Sequence, residues 1–296
     1  MISAQKLEFQ MSDGVRLQAD AYGQGPVLLL AHGAGQTRYS WQSVARLQAE
    51  KGWRSVTVDL RGHGDSDWHD GQDYSIERYG HDIAEMAQAL GGSVYFVGAS
   101  LGGNAAIAAA GRLAPHMFRA LVLVDVVPQV DATGAAEVLG FMDDHLDHGF
   151  ADVDEASRAV SAYRKEKPRP RGQSSGLARH LRERSDGRLR WHWDPAFIRG
   201  PKQGRLTSDY AQQLEEDLAS ICCPILLLRG LESNIVTDEA ERAFQQVAPR
   251  ARVAHIGGAG HMVVGDNNSL FAAELERFLQ GLRAAGDCAE QELQNE

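Results

Sequence analysis

Hydrophobic and polar positions change their period along this chain, and each change marks an element. Residues 7–11 and 15–21 alternate apolar and polar side chains around the turn sequence Ser12-Asp13-Gly14, which predicts a β-hairpin. At residue 27 the alternation gives way to an unbroken apolar run, Val27-Leu28-Leu29-Leu30-Ala31, as a strand covered on both faces requires. Helices and strands then take turns: a helix over 41–51, a strand over 55–59, a helix over 76–90, a strand over 94–97, a helix over 105–113 and a strand over 120–124. In the 76–90 segment Ile76, Tyr79, Ile83, Met86 and Leu90 recur at three- and four-residue spacings, and Ser75 stands at the N-cap position. This rhythm predicts an α/β fold with a mostly parallel, doubly wound sheet.

After Pro128 the rhythm stops. To about residue 218 the chain is polar and Arg-rich, punctuated by Pro168, Pro170, Pro195 and Pro201, and reads as an inserted, mainly helical cap. The run Ile225-Leu226-Leu227-Leu228 after Pro224 restores a buried strand, followed by a helix over 239–247, a strand over 252–256 and a helix over 269–282. The expected organisation is a core of residues 1–127 and 219–283, a cap of 128–218 and an acidic tail, 284–296, that frays.

Composition narrows the class. A chain of 296 residues can bury a full core, and 43% hydrophobic with 24% charged residues is ordinary for a globular domain. The first residues lack the apolar centre of a secretory signal, and no stretch approaches the roughly 18 apolar residues of a membrane span, so a cytoplasmic protein without membrane partners is expected. Cys222, Cys223 and Cys288 do not make a disulfide framework, since the first two are adjacent. A net charge of −10 argues against nucleic acid as a partner. Between Arg158 and Arg205, however, fourteen Lys or Arg face four acids, a local balance that reads as a solvated face in preference to an anion-steering one.

Three glycine-rich turns carry candidate chemistry. Gly98-Ala99-Ser100-Leu101-Gly102 lies between a predicted strand and a predicted helix, where small neighbours let a serine hydroxyl project and the helix N-terminus faces developing negative charge. His32-Gly33-Ala34-Gly35 follows the strand at 27–31 and can turn backbone N–H groups toward the same point, so the N–H groups of Ala34 and Leu101 are the expected oxyanion donors and His32 a loop-holding residue. Gly257-Gly258-Ala259-Gly260-His261 follows the last strand, which makes His261 the candidate proton acceptor over His255 within that strand. The spacing Asp144-His145 to His148 resembles a metal pair but has no further ligand, so no metal is expected.

In this order the motifs resemble the α/β-hydrolase superfamily over nearly all of residues 5–283, and Asp59-Leu60-Arg61-Gly62-His63-Gly64-Asp65-Ser66 is similar to a structural turn of that family. The resemblance implies a serine hydrolase with Ser100 as nucleophile and His261 as base, acting without a cofactor on a small to medium hydrophobic ester. It leaves the acid open. Most relatives place it near Ser233 or Asn234, where Asn234 could only orient His261 neutrally; Asp125, at the end of the strand over 120–124, is the charged alternative, and Glu232 a third. Trp191 and Trp193 are the cap residues that could line the substrate pocket, although packing of the cap onto the core is also a role for them. Two further classes stay open: a cofactor-independent dioxygenase or C–C bond-cleaving enzyme using His261 with Asp125, and a weakly catalytic ligand-binding protein, suggested by Asn234.

Overall fold

Residues 2–163, 176–200, 208–261, 263 and 268–294 are described by the structure, a computed structural model, with backbone alone for 208–209, 268 and 285–294. The hairpin pairs β1 (Gln5–Gln10) with β2 (Arg16–Tyr22). The buried runs form β3 (Val27–Ala31), β4 (Arg54–Val58), β5 (Val94–Ala99), β6 (Phe118–Val124), β9 (Ile225–Gly230) and β10 (Arg252–Ile256). Together they make an eight-stranded sheet of order β1-β2-β4-β3-β5-β6-β9-β10, parallel from β4 to β10 and antiparallel along the hairpin. Side-chain alternation explains the unbroken apolar runs. Leu28 and Leu30 pack with Trp41, Val44, Phe271 and Leu275 on one face, whereas Leu29 and Ala31 pack with Ile83, Met86, Ala105 and Ile107 on the other. Both faces of β3 are therefore dry, and its C-terminal end points at the same edge as those of β5 and β6, where ligands of open α/β sheets bind.

Helices α1 (Gln42–Glu50) and α2 (Ile76–Ala89) occupy the predicted positions, whereas α3 (Leu101–Ala108) starts directly after Ser100, ahead of the expected 105, and passes into a π-helical turn, Ala109–Leu113. The Ser75 hydroxyl accepts the Arg78 N–H and caps α2 as its sequence position suggested. Between β6 and β9 lie α4 (Ala132–Asp143), α5 (Val153–Tyr163), α6 (Ala196–Arg199) and α7 (Ser208–Ser220). They are not the whole insertion: β7 (Leu181–Glu183) and β8 (Leu189–Trp191) form an antiparallel hairpin that a helical reading missed. Its connection is a turn with Gly187 at φ 74°, closed by the Gly187 N–H on the Arg184 carbonyl, and three-residue strands are too short to show alternation. The C-terminal helix, Asn268–Gln294, runs past residue 282 because Ala, Glu and Gln after it are good helix formers.

Helix α7 belongs with the core in space, although its sequence sits with the cap. Leu214 and Leu218 are buried, Arg112 Nε is 3.0 Å from Asp217 Oδ1, and the Ser220 hydroxyl donates to the Gly111 carbonyl at 2.7 Å. A methyl group on Gly111 would collide with the Asp217 backbone. Gly111→Ala should therefore destabilise the fold by about 1–3 kcal/mol, as overpacking does; urea unfolding midpoints measure it, and an unchanged midpoint would place α7 away from this seat.

Candidate active site

Ser100 occupies a turn that few side chains tolerate. Its backbone lies at φ 45° and ψ −112°, between the end of β5 and the first turn of α3. The glycines on either side make the turn possible by close approach. A methyl on Gly98 would lie 2.6 Å from the Gly103 nitrogen, and one on Gly102 would lie 2.8 Å from the Ala31 carbonyl oxygen. The elbow is thus wedged between its own helix and β3, and the Leu101 N–H stands at the helix N-terminus, where no intrahelical acceptor is available.

Asp125, one residue past β6, also has a positive φ, 49°, and is fully buried. Its carboxylate collects three donors: the Gly230 N–H on Oδ1 at 3.0 Å, the Ser233 hydroxyl on Oδ2 at 2.6 Å, and His261 Nδ1 on Oδ2 at 2.8 Å. Such donors offset the desolvation of a buried charge. Asn234 does not face His261. Its Nδ2 donates instead to Glu137 Oε2 of α4 at 2.8 Å, in an exposed position, so the reading of Asn234 as the neutral orienter is corrected: the loop after β9 turns its hydroxyl inward at Ser233 and its amide outward at Asn234. Glu232 is exposed, and His255 is paired with Glu241 at 2.8 Å.

The loop after β3 is held by imidazoles. His32 is fully buried; its Nε2 accepts the Leu60 N–H at 3.0 Å, so the proton sits on Nδ1, which donates to the Gly33 carbonyl at 2.8 Å. His63 Nε2 accepts the Gly35 N–H at 3.2 Å. Arg38, buried just downstream, is ion-paired with Asp20, Asp59 and Asp65. From the cap, His192 Nδ1 accepts the Gly64 N–H at 2.7 Å, Arg182 binds Asp65 at 2.6 Å, and the Asp194 N–H donates to the Gly62 carbonyl at 2.9 Å. The 59–66 turn, read as structural, is the seat on which the cap hairpin sits. Several basic cap residues are spent on ion pairs: Arg182 with Asp65, Arg190 with Asp186, and Arg199 with Asp143 and Asp147. Members of the basic run within 164–175 and 201–207 lie outside the described residues.

A cavity of about 330 Å³ opens between core and cap. Its floor includes Gly33, Ala34, Ser100 and His261; its roof comes from Phe141 of α4, Tyr163 of α5 and both Trp191 and Trp193. The two indoles stack at 5.0 Å and 11°, Phe141 stacks on Tyr163 at 4.4 Å, and Trp193 abuts Gly35. The indoles therefore both line the cavity and pack the cap. Among the described residues no group of three or more His, Cys, Asp or Glu could hold a metal ion, and His145 packs against Phe150. No helix among them is long and apolar enough to cross a membrane.

With sheet order, strand-end turns and cap in place, comparison with known proteins is direct. A family model described as the alpha/beta hydrolase fold matches residues 26–268. The chain belongs to that family. This α/β hydrolase is 31% identical over 255 residues to an esterase of Mycobacterium tuberculosis, spanning 82% of this chain and 79% of that protein. It is 27% identical over 261 residues to a 2-(acetamidomethylene)succinate hydrolase of Mesorhizobium japonicum, spanning 84% and 86%. A crystal structure of E-2-(acetamidomethylene)succinate hydrolase superposes with a TM-score of 0.79 at 21% identity, over 93% of this chain and all of that one, which shows the shared fold. Its curated relatives are named as esterases and hydrolases, and the family is one of hydrolases.

Ser233, His180, Phe141 and Tyr163 are the site residues that sequence reasoning did not find. Ser233 lies beside a position weighed for the acid, which was the available signal; the other three enter the site through cap packing, which leaves no local pattern. Burial pulls four imidazoles beneath the 32–36 loop down from the ordinary 6.5: His63 and His180 to about 4, and His32 and His192 well below 6.5. The folded protein then binds fewer protons than the unfolded chain, so the stability held above about pH 6.5 is lost as pH falls toward about 4, at no more than about 1.4 kcal/mol per pH unit for each histidine. Urea unfolding between pH 7.5 and 5 should show this decline, and His63→Asn should flatten it. A flat wild-type profile would contradict the neutral, buried assignment.

Proposed function

We propose that this α/β hydrolase cleaves esters through an acyl-enzyme on Ser100. The observation that carries this reading is the convergence of a strained serine and His261 on one cavity, with His261 Nδ1 taken by the buried Asp125 carboxylate. Nε2 is then the ring nitrogen left to receive the serine proton. Ser100 Oγ attacks the ester carbonyl while His261 takes its proton, and Asp125 stabilises the imidazolium that results. The negative charge on the carbonyl oxygen is met by the N–H groups of Ala34 and Leu101. Ala34 is pre-aimed, because His32 Nδ1 and the Gln36 N–H both bind the Gly33 carbonyl, and a trans peptide turns the following N–H the opposite way. His261 next gives its proton to the departing alcohol oxygen. Water, deprotonated by the same imidazole, releases the acid and restores Ser100. The steps need no metal or cofactor, and the small-molecule partner is a small to medium hydrophobic ester, as the aromatic roof favours.

Because Asn234 binds Glu137, the hint of a weakly catalytic binding protein loses its support. The His261–Asp125 pair could also serve a cofactor-independent oxygenation, which requires no adduct on the serine.

On short- and medium-chain p-nitrophenyl esters, Ser100→Ala should abolish turnover, and Asp125→Asn should lower kcat by roughly 10³–10⁴-fold. Asn234→Ala should stay within about twofold of wild type, since surface changes away from the chemistry have small effects. Full activity in Ser100→Ala, or oxygen consumption in place of ester turnover, would overturn the proposal.

A further inference from the structure

We infer that Ser233 is a positioning residue for catalysis: its hydroxyl locks the Asp125 carboxylate in the rotamer that serves His261. The inference rests on the acyl-enzyme reading above. It starts from hydrogen-bond accounting around one oxygen. Ser233 Oγ accepts the Ile235 N–H at 3.2 Å and the Val236 N–H at 3.1 Å, which occupy its two lone pairs. A hydroxyl has a single proton, and with both lone pairs engaged that proton points to the remaining neighbour, Asp125 Oδ2 at 2.6 Å. Ser233 is therefore an obligate donor, fixed by the backbone of its own loop and unable to rotate away without losing two further bonds.

The oxygen it binds is the one that also receives His261 Nδ1, and Oδ1 is separately held by the Gly230 N–H. Gly230 is the last residue of β9, and Ser233 lies three residues beyond it, so both ends of the carboxylate are tied to one strand end while His261 comes from the loop after β10. The carboxylate therefore cannot swing about its side-chain torsions, which keeps Oδ2 on the imidazole.

Ser233→Ala removes the donor, and Ser233→Thr keeps it. If Ser233 positions Asp125, Ser233→Ala lowers kcat for a p-nitrophenyl ester by roughly tenfold with KM unchanged, the scale seen where a partner holding a functional imidazole is removed. Ser233→Thr restores most of it. The far-downfield proton resonance of His261 Nδ1–H, read by NMR without any substrate, shifts in Ser233→Ala and returns in Ser233→Thr. A merely structural hydroxyl would lower the melting temperature and leave kcat and that resonance as in wild type, and this result overturns the inference. Because the resonance needs no turnover, it tests Ser233 even if no ester proves to be a substrate, whereas an ester-inactive wild type with the shift intact would count against the acyl-enzyme reading alone.

Discussion

Two turns at the ends of adjacent parallel strands carry backbone strain, and the candidate site is arranged around them. Among the described residues three non-glycine positions have positive φ, and two of these are Ser100 and Asp125, which follow β5 and β6. Each such position costs on the order of 1–3 kcal/mol and persists only where its surroundings over-determine it. At Ser100 the surroundings are Gly98 and Gly102, pressed against α3 and β3; at Asp125 they are the Leu228 carbonyl accepting its N–H and the donors gathered on its carboxylate. Strand pairing between β5, β6 and β9 sets the distance between the turns, so the sheet itself places Ser100 and Asp125.

The cap finishes what the sheet begins. Its hairpin sits on the 62–65 turn through His192, Arg182 and Asp194, and the same turn supplies His63, which holds the Gly35 N–H. Cap seating and the shape of the 32–36 loop are therefore parts of one hydrogen-bonded layer. That layer is built from imidazoles that accept N–H donors, which only their neutral form can do. Aromatic side chains from α4, α5 and β8 then roof the cavity, giving it apolar walls over a polar floor.

Much of this was legible in the chain. Unbroken apolar runs revealed the buried strands, and the glycine spacing around Ser100 has meaning because close backbone approach excludes any side chain at 98 and 102. The partner of His261 was harder. Choosing between Asp125 and Asn234 requires knowing which way the loop after β9 turns its side chains, a fact set by the Asp131 N–H on the Ile235 carbonyl and by Glu137 reaching from α4. Those contacts span about a hundred residues of sequence and leave no local signature. The cap hairpin escaped for a similar reason, since its three-residue strands are stabilised by Phe150 pairing with Leu189 and by Trp191 packing on Trp193. Helix α7 was read with the cap, because its seat on the core depends on Gly111 and Asp217, which meet only after folding.

The central claim is that Ser100 is an activated nucleophile. Peptide mapping by mass spectrometry after brief exposure to a fluorophosphonate tests it most directly. The account predicts a single stoichiometric adduct on Ser100 that forms far more slowly in Asp125→Asn. A folded wild-type protein that takes up no label, or takes it up on another residue, would contradict it.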